Sequence, residues 1–351
     1  MKVKRLISIV LSLSAVLSLC SCMQGVRYME ESFFSMDTFM YVKAEDANSA
    51  VMRDVKARIY EIERKFSRTS SESAVSKINS LGECGTFTLD GDGEKLLSKS
   101  LEVAEATDGA FNPCLGTVKD VWEKHKAELT VPAEDEVLSA LAHTSPDGIA
   151  LDGPYLAKSD GKLSIDLGAV AKGYAANEAV KLLREGGVEN AMLNLGGNIA
   201  VIGESESNHG KGFWTIGIKN PFKTDELVGT LNLSDCFVSV SGGYERYYEV
   251  DGKRYHHIID SATGFPAKSG IASVAVISND GTLADALSTA LFVMGKEKAL
   301  AFYESGVYSF EAVIVTDDGG VTVTDGLADS FDFNENAHGN GGAPLYLEHD
   351  S

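Results

Sequence analysis

The chain has 351 residues, with 51 Asp and Glu against 31 Lys and Arg, and a formal net charge of −20 at pH 7. A surface that acidic repels nucleic acid and anionic lipid headgroups, so neither is an expected partner. Beyond the N-terminal segment, Cys84, Cys114 and Cys236 show no Cys-x-x-Cys spacing, which allows one disulfide at most and argues against a thiolate metal site.

Lys2, Lys4 and Arg5 precede an apolar run over residues 6–19, too short to span a bilayer and suited to an export leader. The run ends in Leu19-Cys20-Ser21-Cys22, which resembles a bacterial lipobox: Leu at −3, a small residue at −1, then the cysteine that is lipidated. Cys22 fits better than Cys20, which would have bulky Leu19 at −1. Residues 1–21 are therefore read as a lipoprotein signal peptide, Cys22 as the lipidated N-terminus and 22–31 as a tether. An ordinary secretory signal with incidental cysteines is the plain alternative. Lipidation would hold the protein extracytoplasmically, anchored to the bacterial cell membrane.

Residues 32–43 then alternate as one strand, with Phe33, Met36, Phe39 and Tyr41 as its large apolar side chains. Val51, Val55, Ile59, Ile62 and Phe66 recur at helical spacing behind Asp46 and Asn48, which predicts an amphipathic helix. Val75 and Ile78 suggest a short second helix, and a third spans 94–106 with Gly109 past its end. Leu163-Ser-Ile-Asp166 reads as a strand leading through Leu167-Gly168 into a helix over 169–184, which stops at Gly186-Gly187.

From Asn190 the pattern changes to short strands at 191–194, 199–202, 213–218, 228–233, 237–240, 244–250, 254–259 and 271–277. Turn signals such as Asn220-Pro221, Asp251-Gly252 and Asp280-Gly281 separate them. Helices over 283–294 and 296–304 follow, then a hairpin about Asp317-Asp-Gly-Gly320. Residues 331–351, rich in Asn, Gly and acidic side chains without periodicity, are expected to be a disordered tail. Strands that succeed one another favour antiparallel pairing. The fold class predicted is α+β, with largely antiparallel, strand-rich sheets flanked by helices in two intimate subdomains, and one functional unit over 32–330.

Two neighbouring segments carry the strongest chemical signal. Tyr255-His-His-Ile-Ile-Asp-Ser-Ala-Thr-Gly-Phe-Pro266 sets an imidazole beside a turn rich in hydroxyl and carboxylate groups. Ala284-Asp-Ala-Leu-Ser-Thr-Ala-Leu-Phe-Val-Met-Gly295 places Asp285 and Thr289 at i and i+4 of a helix, so both oxygens share a face. That pair suits a hard cation such as Mg²⁺ better than zinc. Plainer roles exist for both, Asp285 as a helix N-cap and Thr289 as a hydroxyl bonded to its own backbone. Adjacent His256 and His257 would point to opposite sides of a strand, so one site takes only one of them.

Neither a Walker A motif nor GxGxxG is present. Asp166-Leu-Gly-Ala-Val-Ala-Lys172 offers helix-start amides and a lysine to an anion, or is simply a helix entry whose lysine faces water. Asn194-Leu-Gly-Gly-Asn198 and Val238-Ser-Val-Ser-Gly-Gly-Tyr-Glu-Arg246 read either as close ligand approach or as a bulge and a hairpin turn.

Taken together, these segments resemble the ApbE family, the FAD:protein FMN transferases, over residues 35–326. The match is carried, in family order, by Ser35-Met-Asp-Thr38; Phe66-Ser67 with Ser73 and Asn79; Thr107-Asp-Gly-Ala-Phe-Asn-Pro113; and Ile165-Asp-Leu-Gly-Ala-Val-Ala-Lys-Gly-Tyr174. It continues through Asn194-Leu-Gly-Gly-Asn198; Ser241-Gly-Gly-Tyr-Glu-Arg246; His257-Ile-Ile-Asp with Thr263-Gly264 and Pro266; and Ala284-Asp-Ala-Leu-Ser-Thr289.

The resemblance implies an Mg²⁺-dependent enzyme that cleaves FAD and attaches FMN as a phosphoester to a Thr or Ser hydroxyl of an extracytoplasmic acceptor, of the membrane electron-transfer subunit type, releasing AMP. It implies Asp285, Thr289 and the Ala169 carbonyl as metal ligands, with His257 as general base. Met36, Ala110, Phe111, Asn112, Asp166, Lys172 and Ile259 are implied to line the FAD site. Departures from the family pattern are Thr69 in place of a frequent aromatic, Cys114 and Thr117 where Thr and Pro are usual, and Asn177 for a frequent Asp. Two other readings share the motifs: a metal-dependent FAD pyrophosphatase, and a non-catalytic flavin-binding lipoprotein, for which a general base is superfluous.

Overall fold

A computed structural model describes residues 27–335 and 344–347, so the segment read as a signal peptide, Cys22 and half of the expected tether lie outside the described residues, as do parts of the tail. Strands β1 (Tyr28–Ser35) and β2 (Thr38–Glu45) form a hairpin where the alternation predicts one strand over 32–43 and a tether up to residue 31. The reversal falls at Met36 and Asp37, both in the left-handed region with φ of 50° and 58°. Non-glycine residues adopt that backbone at a cost. Glu63 offsets it by accepting from the Ser35 hydroxyl at 2.7 Å and the Met36 N–H at 2.8 Å.

Glu63 belongs to helix α1 (Ser49–Phe66), capped by the Asn48 side chain and burying Met52, Val55, Ile59, Ile62 and Phe66 as the spacing predicts. Next come α2 (Ala74–Asn79), β3 (Gly85–Thr88), α3 (Gly91–Ala106), α4 (Gly116–Glu128), α5 (Glu134–Leu141), β4 (Ile149–Asp152) and β5 (Tyr155–Lys158). The expected strand over 163–166 is not one. Its backbone is bonded instead by the Asn79 side chain, which donates to the Ile165 carbonyl (2.9 Å) and accepts from its N–H (2.7 Å). The Asp166 N–H donates to the Pro113 carbonyl at 2.8 Å. Lys158 is fully buried, and its ammonium donates to the carbonyls of Ile78, Asn79 and Leu163.

Helix α6 (Ala171–Glu185) leads into β6 (Ala191–Leu195), β7 (Asn198–Ile202), β8 (Trp214–Lys219), β9 (Leu227–Leu233), β10 (Cys236–Gly242), β11 (Tyr247–Val250), β12 (Lys253–His256) and β13 (Ile271–Ser278). After α7 (Gly281–Met294) and α8 (Lys296–Glu304) come β14 (Glu311–Thr316), β15 (Val321–Val323), β16 (Phe331–Phe333) and β17 (Leu345–Tyr346). The last two correct the expectation of a disordered tail from residue 331. β16 pairs with β9 because Phe331 is buried in the core beneath it, and β17 pairs with β15.

Among the described residues, nine strands make one sheet in the order β1-β2-β6-β7-β10-β13-β14-β15-β17, antiparallel at every pairing except β15 with β17. This is the expected α+β, largely antiparallel arrangement. Its hydrophobic core lies on two faces. The larger cluster packs α1, α3, α6 and α7 against one side, and the smaller joins the sheet to the β16-β9-β8 sheet. A third cluster, around Trp122, Val137 and Ile259, seats α4 and α5 at the end where the site forms.

Candidate active site

One cavity of about 380 Å³ gathers segments from most of the chain. Of the residues singled out in the sequence, Ala110, Phe111, Asn112, Asp166, Ala169, Lys172, His257, Ile259, Asp285 and Thr289 all line it. Met36 does not. The αL–αL turn directs its side chain onto the main core and presents its neighbour Asp37 to the cavity instead.

The oxygen-bearing corner is built by a helix crossing. A Cβ added to Gly173 would sit 2.0 Å from the Gly281 carbonyl oxygen, and one on Gly281 would sit 2.6 Å from the Gly173 oxygen. Two glycines thus let α6 and α7 touch backbone to backbone. Asp280 is the N-cap of α7, so Asp285 stands in the second turn, free of capping duty. Although only 4% exposed, Asp285 lines the cavity. Its Oδ2 accepts from the Gly173 N–H at 2.9 Å and its Oδ1 from the Ser239 hydroxyl at 3.2 Å.

The Gly173 bond has a consequence for Ala169. The N–H that would close the first helical turn onto the Ala169 carbonyl is turned to Asp285, so among the described residues that carbonyl takes no hydrogen bond from it. A carboxylate with spare lone pairs, the Thr289 hydroxyl one turn on and an unclaimed carbonyl form an oxygen-only donor set, which fits a hard divalent cation. The same bond takes one of the amides at this helix start for the protein's own carboxylate.

His256 and His257 both border the cavity, against the expectation from strand alternation, because β12 ends at His256 and the chain turns there. Their nitrogens differ. His256 uses both, Nε2 bonded to the Ala267 carbonyl and Nδ1 accepting from the Ile258 N–H, and its ring meets Phe292 edge-on. His257 bonds the Arg246 carbonyl through Nδ1 at 3.0 Å, which makes Nδ1 the protonated nitrogen and leaves Nε2 with a free lone pair. Desolvation, aided by the cations of Lys119 and Arg246 and opposed by the Arg246 carbonyl, pushes its pKa down to about 4. His257 is therefore neutral at physiological pH.

Asp166 is held by Lys119 at 3.1 Å, Arg68 at 3.3 Å and the Gly168 N–H at 2.7 Å. Burial alone would raise its pKa, but the two cations and the amide outweigh it and hold the carboxyl below its usual range. Asn112 spends its amide on the Thr144 carbonyl and the Cys114 N–H, so it shapes the wall. Sequence reading did not single out Lys119, or the aromatic wall of Trp122, Tyr255 and Tyr248, whose neighbouring ring centroids are 5.7 and 5.5 Å apart. These residues share no periodic pattern that would have flagged them.

Two departures from the family pattern find local roles. Cys114 is wholly buried, and burial pushes its thiol up to about 12, so it is chemically quiet. Asn177 donates to Asp280 and Thr282 and accepts from the Gly281 N–H, which secures the start of α7; an aspartate there could not donate to Asp280.

The ApbE family model matches residues 36–314. A protein of Treponema pallidum named FAD:protein FMN transferase is 32% identical over 295 residues, covering 80% of this chain and 81% of its own length. One of Klebsiella pneumoniae with the same name is 34% identical over 284 residues, covering 80% and 86%. Among solved structures, the ApbE protein of Thermotoga maritima aligns with a TM-score of 0.77 at 34% identity over 84% of this chain and 96% of its own. The flavin transferase ApbE of Vibrio cholerae aligns at 0.76 with 24% identity, over 87% and 99%, a likeness of fold.

Proposed function

The chain belongs to the ApbE family, and from that premise we propose how its cavity carries out the transfer. The enzyme moves FMN from FAD to a protein. Beyond that, our reading is that the acceptor atom is a Thr or Ser hydroxyl of an extracytoplasmic, membrane electron-transfer type protein. The hydroxyl oxygen attacks the phosphorus on the FMN side of the pyrophosphate, the bond to the AMP oxygen breaks, and the hydroxyl proton goes to Nε2 of His257. A hydroxyl is a poor nucleophile at neutral pH, and a neutral imidazole facing the cavity is suited to take its proton.

Asp285, Thr289 and the Ala169 carbonyl would hold Mg²⁺. Bound there, the ion offsets charge on the pyrophosphate and the departing AMP. Asp166, Lys119 and Lys172 contribute charge along the wall, and Phe111 and Ile259 supply apolar surface to the substrate. We further propose that Cys22 is lipidated and keeps the enzyme on the outer face of the membrane, where its acceptors reside. The observation that carries the mechanism is that one cavity holds both an imidazole with an open nitrogen and an oxygen-only cradle.

The test incubates purified protein with FAD and Mg²⁺, with and without acceptor, following AMP by chromatography and acceptor mass by spectrometry. Stoichiometric AMP and an acceptor heavier by one FMN support transfer. AMP release that is equally fast without acceptor, with no mass gain, would establish hydrolysis instead. For the anchor, Cys22→Ser should move the protein from the membrane to the soluble fraction, and persistence in the membrane would refute lipidation at that residue.

A further inference from the structure

Beneath Asp285 lies a chain of three serine hydroxyls that the transfer reaction does not by itself require. Ser239 on β10 and Ser288 on α7 are each 1% exposed, and Ser241, two residues along β10, reaches the cavity wall. Ser239 Oγ donates to Asp285 Oδ1 at 3.2 Å and lies 3.3 Å from Ser288 Oγ. Ser288 Oγ donates to the Asp285 carbonyl at 2.9 Å and lies 2.8 Å from Ser241 Oγ.

Each hydroxyl has one proton, so the three serines can satisfy at most three of these four contacts. Every arrangement that reaches three puts the Ser241 proton on Ser288. Of the three that do so, the two that also put the Ser239 proton on the Asp285 carboxylate are favoured, because a charged acceptor holds a donor more strongly than a hydroxyl does. Ser241 Oγ then faces the cavity with lone pairs only. It can accept from an N–H, a hydroxyl or the water of a cation, and would repel a phosphate oxygen. The network therefore has a direction, running from the cavity wall to the carboxylate.

We infer that Ser239 is a positioning residue for Asp285. Its proton, drawn to Oδ1 because the carboxylate is a stronger acceptor than the Ser288 hydroxyl, fixes one carboxylate oxygen while Gly173 fixes the other. The lone pairs left over on Asp285 are then aimed into the cavity, ready for a divalent cation. This rests on the cation reading above. Outer partners that orient metal-binding carboxylates are typically worth about 10- to 100-fold in metal affinity.

The experiment titrates the full chain, without FAD, with Mn²⁺ alone and follows the free-ion EPR signal, with thermal unfolding as the control for folding. Ser239→Ala should weaken Mn²⁺ roughly tenfold or more with an unchanged midpoint. Ser239→Cys, a weaker donor of similar size, should fall between. Ser288→Ala, which leaves the Ser239 bond to Oδ1 in place, should weaken binding less than Ser239→Ala. Affinity in Ser239→Ala within twofold of the unaltered protein would overturn this inference and leave the cation site standing. Failure of the unaltered protein to bind Mn²⁺ any better than Asp285→Ala would overturn both.

Discussion

Gly173→Ala tests the crossing that places Asp285. Two effects oppose one another. Alanine is favoured over glycine in a helix interior by about 0.5–1 kcal/mol, which would stabilise α6. Against it, the new Cβ would lie 2.0 Å from the Gly281 oxygen, 2.6 Å from the Gly281 carbon and 2.8 Å from the Asp285 Cβ. Two of those atoms are backbone, so no side-chain rotation relieves the contact; α6 and α7 must separate by roughly an ångström to reach ordinary van der Waals distance. Forced overpacking of this kind costs about 1–3 kcal/mol and sometimes more, so the clash wins.

The net expectation is a loss of roughly 1–2 kcal/mol. In urea this appears as a midpoint lower by somewhat under 1 M, at a slope of about 2 kcal/mol/M. Gly91→Ala, in the first turn of α3 with nothing within 4 Å of the added carbon, is the control and should be neutral or mildly stabilising. Because Gly173 also carries the N–H that holds Asp285, the Mg²⁺ concentration needed for half-maximal AMP release should rise in the variant. A Gly173→Ala midpoint equal to or above that of the unaltered protein would mean the helices are not locked at this contact, and the account of how Asp285 is placed would fail.

His257→Ala should keep FAD affinity, measured by flavin fluorescence, and lose about 10²- to 10⁴-fold in transfer rate; turnover within threefold would remove it as the base. The neutral imidazole is the active form and its pKa lies near 4, so activity should hold steady from neutral pH downward and fall only as the imidazolium forms. An acid limb near pH 6.5 would contradict the desolvated setting. Asp285→Ala should abolish chelator-sensitive AMP release, and a variant still active and still inhibited by EDTA would place the metal elsewhere. Lys158→Met removes three donors from buried carbonyls and should cost about 1–3 kcal/mol in urea unfolding, whereas equal stability would show that water replaces the ammonium.

Strong periodicity made much of the fold legible. Val55, Ile59, Ile62 and Phe66 announce α1, and the short runs after Asn190 announce every strand from β6 to β13, four of which lie in the large sheet. What escaped lacked such a pattern. Helix α4 buries only Gly116, Val118 and Trp122, and β3, β4 and β5 are four residues each, too short for alternation to register. The segment over 163–166 looked like a strand because its side chains alternate, but it meets only an isolated bridge at Leu115, and the Asn79 side chain, Lys158 and the Pro113 carbonyl take others of its backbone groups. In the site, Asp285, Thr289 and His257 were visible through their spacing and motif. Glu63 and Lys119 were not, since each acts through contacts across long stretches of sequence, and Ser239 and Ser288, though inside quoted motifs, gave no sign that their hydroxyls meet.

The cavity wall draws on residues from Asp37 to Thr289, contributed by a hairpin tip, two helix starts, a helix interior and several strand ends. No contiguous fragment of the polypeptide can reproduce it, so substrate occupancy reports on the whole domain being assembled. A ligand recognised only by that assembled state, at free concentration L, raises resistance to unfolding by RT ln(1 + L/Kd), which grows with the logarithm of its concentration above Kd. Nicking an exposed loop between those landmarks should therefore be slowed by FAD even where the cut lies far from the flavin.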